Sequence, residues 1–179
     1  MLRSSAIACA LAVLPVLAET PPAPPGPPPS VAAEVRRTVA ALVGSWSGRM
    51  TATVPDAAPE TFPWTMDCKE IALGQGVACT MGGTASIGPL AQTCLVAFDP
   101  VGRSVHYMCV TSMGEVHDHD GRWADEQTIE FEPLAGTFMD EPTIEAIHWK
   151  FPDPQTIETR TVITLADGDF LRFDFKGRR

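Results

Sequence analysis

Val31-Ala32-Ala33-Glu34-Val35-Arg36-Arg37-Thr38-Val39-Ala40-Ala41-Leu42-Val43-Gly44-Ser45-Trp46-Ser47-Gly48-Arg49-Met50-Thr51-Ala52-Thr53-Val54 changes its period halfway along. Val31, Val35, Val39 and Leu42 recur at helical spacing. Ser30 stands ahead of them as an N-cap, and Gly44 follows as a stop. Arg36 and Arg37 fall on the polar side of this helix. From Ser45 onward the period is two: Trp46, Gly48, Met50, Ala52 and Val54 alternate with polar or small residues, as in a strand with one buried face. One short amphipathic helix therefore runs straight into a strand.

The rest of the chain keeps the period of two. Phe62, Trp64, Met66 and Cys68 alternate in the same way, and further runs rich in Thr, Val, Ile and aromatics follow. They are Val77 to Met81, Thr93 to Phe98, Val105 to Thr111, Arg122 to Glu132, Thr143 to Phe151, Gln155 to Leu165 and Asp169 to Lys176. Turn residues separate them at Gly74-Gln75-Gly76, Asp99-Pro100-Val101-Gly102, Met113-Gly114, Asp120-Gly121, Ala135-Gly136, Pro152-Asp153-Pro154 and Asp167-Gly168. Connections this short make neighbours antiparallel. The pattern predicts an all-β, up-and-down antiparallel barrel of about eight to ten strands, plugged by one short N-terminal helix.

Ahead of the helix, Arg3 precedes an apolar run from Ala6 to Val16 that closes on Val16-Leu17-Ala18. This reads as a signal peptide, residues 1–18, too short for a bilayer span. Cys9 lies early in the apolar run, which argues against a lipid anchor. Residues 19–30 form a proline-rich tail, expected as an extended spacer. The barrel domain is expected over residues 31–179. The mature protein is thus expected to be secreted and periplasmic. Removing Arg3 takes the formal net charge from −9 to near −10. That balance excludes nucleic acid, whose phosphates need Lys and Arg, and disfavours an anionic membrane surface. No later segment is apolar for long enough to span a membrane.

Cys68, Cys79, Cys94 and Cys109 remain after cleavage, and four cysteines allow three pairings. A hairpin about the Gly74 turn sets Cys68 opposite Cys79. One about Asp99 to Gly102 sets Cys94 opposite Cys109. Two hairpin disulfides are therefore expected, each closing roughly ten to sixteen residues and contributing about 2–3 kcal/mol. The spacings are not those of a redox Cys-x-x-Cys pair. A four-thiolate zinc site is disfavoured outside a reducing compartment.

Leu42-Val43-Gly44-Ser45-Trp46-Ser47-Gly48 resembles the opening of lipocalin-like and calycin barrels, where a helix ending Leu-x-Gly-x-Trp enters the first strand. Gly76-Val77-Ala78-Cys79-Thr80, Leu95-Val96-Ala97-Phe98-Asp99-Pro100, Ser112-Met113-Gly114-Glu115 and Asp120-Gly121-Arg122-Trp123 follow. This succession, from Leu42 to Lys176, is similar to the DUF1579 family of secreted bacterial proteins. The resemblance implies a lipocalin-like barrel with a cavity and no settled activity. It also implies that Trp46 closes the floor under a late-chain Arg stacked as a cation–π lid. Arg178 is the expected partner, because Arg172 alternates with Leu171, Phe173 and Phe175 and should face outward. Nitric-oxide-binding haem barrels share the Gly-x-Trp-x-Gly opening. Here Met50 stands where their next glycine falls, and no His lies in the last strand, so no cofactor is expected.

Inward alternation nominates Met50, Trp64, Met66, Met81, Phe98, Tyr107, Phe131, Trp149 and Ile163 as lining. The expected function is binding of a small hydrophobic ligand. Met50, Met66 and Met81 would pack it, Trp64 and Trp149 would stack on it, and His148 or Tyr107 would supply a hydrogen bond. That reading needs a void of about 300 Å³ or more; otherwise the side chains simply fill the barrel. An alternative is a non-catalytic interaction module that uses the proline-rich tail or a barrel edge. A second alternative is a metal-dependent enzyme through His117 and His119, which share a face if His117-Asp118-His119-Asp120 is strand rather than turn. Asp140-Glu141 and Asp167 with Asp169 sit in expected turns, where acids are solvated. No Gly-x-Ser-x-Gly, His-Glu-x-x-His or phosphate loop occurs, so no catalytic residue is assigned and the chain is not expected to be an enzyme. No metal ligand is assigned, and the sequence leaves oligomeric state open.

Overall fold

A computed structural model describes residues 29–138 and 141–179. The expected signal peptide, and the proline-rich tail as far as Pro28, lie outside the described residues. Helix α1 spans Pro29–Leu42 and so starts slightly earlier than expected. Proline suits a first helical turn, where its missing N–H has no intrahelical partner. Val35, Val39 and Leu42 are buried on its inner face.

The chain then forms β1 (Gly44–Thr53), β2 (Glu60–Ile71), β3 (Gly76–Ala85), β4 (Gly88–Asp99) and β5 (Ser104–Thr111). Next come β6 (Val116–Trp123), β7 (Thr128–Phe131) and β8 (Leu134–Phe138). Long strands β9 (Glu141–Asp153), β10 (Thr156–Leu165) and β11 (Phe170–Arg178) complete it. All pairings are antiparallel, and β11 returns to β1, with Gly48 opposite Gly177. An added Cβ on Gly48 would stand 2.0 Å from the Lys176 carbonyl oxygen, so only glycine admits that approach. Segments β7 and β8 occupy successive stretches of one side of β9. The result is a closed antiparallel barrel of 10 strands with one short helix.

Two departures from the expected elements shape the wall. The run Arg122 to Glu132 is not one strand. Ala124 N donates to Thr128 O (2.9 Å) and Asp125 Oδ1 accepts from Gln127 N (2.7 Å), making a turn between β6 and β7. Conversely, Asp120-Gly121 and Ala135-Gly136 are not turns but lie inside β6 and β8. Gly121 is required in the strand because an added Cβ would meet the Phe131 ring at 2.5 Å. The β6–β7 ladder covers only Gly121 to Trp123. Pro133 then interrupts the chain, and β8 pairs with β9 alone. Among the described residues, Val116–His119 and β8 face one another with no ladder between them.

The helix closes the opposite end. Trp46 is buried beneath it and donates from Nε1 to the Leu42 carbonyl at 2.8 Å. The stacked cation is Arg179, not Arg178: its guanidinium carbon lies 4.7 Å from the Trp46 ring centroid. Arg178 pairs opposite Ser47 and is exposed, because Phe173, Phe175 and Gly177 set the inward parity and Arg179 continues it. Arg179 Nη1 also donates to the Ala40 (3.3 Å) and Val43 (2.5 Å) carbonyls, capping the end of α1. Arg37 is less solvated than its sequence position suggests. It stacks 3.9 Å from the Trp123 ring centroid, and Trp123 Nε1 donates to Thr38 Oγ1 at 3.0 Å.

Both hairpin disulfides form as the turns dictate, Cys68–Cys79 across β2–β3 and Cys94–Cys109 across β4–β5. All four half-cystines point into the barrel and are buried. Such bonds fit an oxidising compartment outside the cytoplasm. No helix among the described residues is long and apolar enough to cross a membrane.

Candidate functional site

Near the helix the interior is solid: Leu42, Trp46, Val77, Val96, Val105 and Ile129 fill it. Towards the other end the inward side chains leave a chamber of about 120 Å³. Its walls are Met50, Phe62, Trp64, Met66, Met81, Tyr107, Ile147, Trp149 and Phe175, with Glu115, His117 and Glu145 at one edge. The chamber alone falls short of the roughly 300 Å³ of an ordinary ligand site. It adjoins a cleft of about 790 Å³ where the wall splits between β6 and β8. Glu115, His117 and Glu145 line both spaces.

Met50, Trp64, Met66, Met81, Tyr107 and Trp149 therefore share the chamber. His148 does not belong with them. Thr143, Glu145, Ile147, Trp149 and Phe151 are buried in alternation along β9, so the residue beside Trp149 faces outward. His148 lines an exterior groove with Arg49, Lys150, Arg160, Arg172 and Lys176. Tyr107 is buried and forms wall rather than anchor: its ring meets Trp149 edge-on at 4.7 Å, and its hydroxyl donates to Cys94 Sγ at 3.5 Å. Burial, reinforced by the charge on Glu145, holds its phenol well above the usual range.

The polar edge is built by β6 and β9. His117-Asp118-His119-Asp120 is strand, so its alternation sends the two imidazoles inward and the two carboxylates outward. Outside, Asp118 and Asp120 flank His106 of β5 at 3.5 and 3.0 Å. Inside, the His117 and His119 rings lie nearly parallel (7°), with centroids 5.8 Å apart. Glu145 Oε2 accepts from both, 2.5 Å from His117 Nδ1 and 3.1 Å from His119 Nε2. His117 Nε2 points back towards Glu115 Oε2 at 3.6 Å, and Thr111 Oγ1 donates to that same oxygen at 3.1 Å.

The electrostatics follow from this arrangement. Burial alone would raise the Glu145 carboxyl, but hydrogen bonds and charge from His117 and His119 outweigh it and bring it down to about 2. The hydrogen bond to Glu145 raises His117 against the opposing effect of burial, and both carboxylates add to the rise. Glu145 and Glu115 were not nominated from the sequence. The signal for Glu145 was present: it shares parity with Trp149, so an inward Trp149 requires an inward carboxylate four residues earlier. Glu115 precedes β6 in a turn and carried no such mark.

No family model matches the sequence, and no curated protein matches it. Solved structures do resemble it. The Rv2717c protein of M. tuberculosis superposes with a TM-score of 0.60 at 17% identity, over 86% of this chain and 100% of that one. The S-type phycobiliprotein lyase CPES of Guillardia theta gives 0.55 at 13% identity, over 83% and 92%. A DUF3598-family protein of unknown function from Nostoc punctiforme gives 0.54 at 12% identity, over 79% of this chain and 49% of that one. At these identities the likeness is one of fold, that of the closed antiparallel barrel.

Proposed function

We propose that this is a secreted, periplasmic, non-catalytic protein that binds a small amphipathic molecule. Its apolar end would occupy the chamber and its polar end would meet Glu115, His117 and Glu145 in the cleft. The observation that carries this reading is the meeting of an apolar chamber and an open cleft at one polar edge. The chamber's about 120 Å³ is close to the about 150 Å³ apolar cavity that accepts benzene, so one ring or a short alkyl chain fits within it. Met50, Met66 and Met81 adapt to that portion, and Trp64 and Trp149 supply flat surface. Two carboxylates at the edge favour a head group that donates hydrogen bonds or carries positive charge. The two disulfides support the compartment, and the short motifs between Leu42 and Trp123 support kinship with DUF1579-like secreted barrels.

The test is a titration of mature, unreduced, EDTA-stripped protein with benzylamine and with benzoate, followed by tryptophan fluorescence, beside a native mass spectrum of freshly secreted protein. Benzylamine should perturb the emission of wild type and bind at least tenfold more weakly to Trp64→Ala, while benzoate has little effect. A bare polypeptide in the mass spectrum together with no fluorescence response to either probe would overturn the reading.

A further inference from the structure

We infer that His117, His119 and Glu145 form a binding site for one divalent transition-metal ion, with Zn²⁺ the best match, and that Glu115 positions His117 for it. This does not rest on the amphipathic-ligand reading, since the three residues converge whatever occupies the chamber. One donor atom from each lies within 4.8 Å of the others. Zinc ligands at about 2.0–2.2 Å from the ion stand about 3.3 Å from one another, so shifts of about 1 Å seat the ion, with Glu145 Oε2 drawing back from His117 Nδ1, now at 2.5 Å, as the hydrogen bond gives way to two metal bonds. Two imidazoles and one carboxylate suit zinc or a neighbouring first-row ion, not calcium or magnesium, which take oxygen ligands.

Two further observations point the same way. The donors are withdrawn from water: the side chains of His117, His119 and Glu145 are 16%, 0% and 11% exposed. Finally, His117 has a carboxylate behind the nitrogen that faces away from Glu145, the arrangement that orients metal-bound imidazoles. Three protein donors leave a fourth position open, and the cleft gives water or a small donor access to it.

The experiment uses full-length mature protein purified without an affinity histidine tag, stripped with EDTA and titrated with Zn²⁺ against a chromophoric chelator. Wild type should bind one equivalent. Glu145→Gln and His119→Gln should bind at least 100-fold more weakly. Glu115→Gln should keep the stoichiometry with affinity reduced about 10- to 100-fold. His106→Ala tests the exterior His106–Asp118–Asp120 group and should leave binding unchanged, as should His148→Ala. Circular dichroism of each metal-free variant confirms that it is folded, and Co²⁺ in place of Zn²⁺ should give the absorption bands of a four-coordinate site in wild type but not in Glu145→Gln. Absence of stoichiometric binding by folded wild type, or binding lost in His106→Ala and retained in Glu145→Gln, would falsify the assignment.

Discussion

Alternation along a strand is unforgiving at the scale of one residue, and two side chains here show it. His148 and Arg178 each sit one place from an inward position, and the barrel turns both outward. The residues were of the right type for their expected tasks, but parity overrode type. Arg179 takes the stacking role, and its removal should be felt: Arg179→Ala loses the cation–π contact and the cap on α1, about 1 kcal/mol or more, whereas Arg178→Ala should stay within about 0.5 kcal/mol of wild type in urea melts. Glu145 makes a second prediction, for metal-free protein. Its carboxyl is lowered from 4.5 to about 2, so its contribution to stability is full above about pH 4.5 and is lost as pH falls towards 2. His117 is raised from 6.5, so its contribution is full below that value and is lost as pH rises through its folded value. The melting-temperature gap between wild type and Glu145→Gln should therefore be widest between about pH 4.5 and 6.5. A gap that is flat from pH 3 to 9 would contradict the ion-pair account.

Elements were legible where a turn signal matched local need, and misread where glycine served packing. Gly74-Gln75-Gly76 and Met113-Gly114 turn the chain, and the helix-to-strand change at Gly44 stands where the periodicity places it. Asp120-Gly121 carries the same local signal, yet Gly121 is glycine because the Phe131 ring fills the space above it. No neighbour in sequence reports that ring. Gly121→Ala should cost about 1–3 kcal/mol through overpacking, and Phe131→Leu in the same chain should recover part of the loss in thermal melts. The break after β7 was equally hidden, because it depends on Pro133 and on which side of β9 the next segment finds. The chamber residues were legible as a set of inward positions, whereas its polar edge depends on β6 and β9 meeting in space.

For the whole molecule, the two disulfides lock neighbouring hairpins on one half of the wall. Their loops span 11 and 15 residues in sequence, so removing either pair should cost about 2–3 kcal/mol, measured by denaturation of Cys68→Ala/Cys79→Ala and Cys94→Ala/Cys109→Ala proteins. The unlinked half contains the divide between β6 and β8. A closed barrel has no free margins, and this one recovers a pair of them there: amides and carbonyls of Val116–His119 and Leu134–Phe138 that, among the described residues, no neighbouring strand claims. The cylinder therefore has a seam. Breathing should begin along it, and amide protons on β8 should exchange with deuterium well before those of β2 to β5, whose backbones are paired on both sides. A molecule entering the chamber need not wait for the barrel to unfold; it needs only the seam to part.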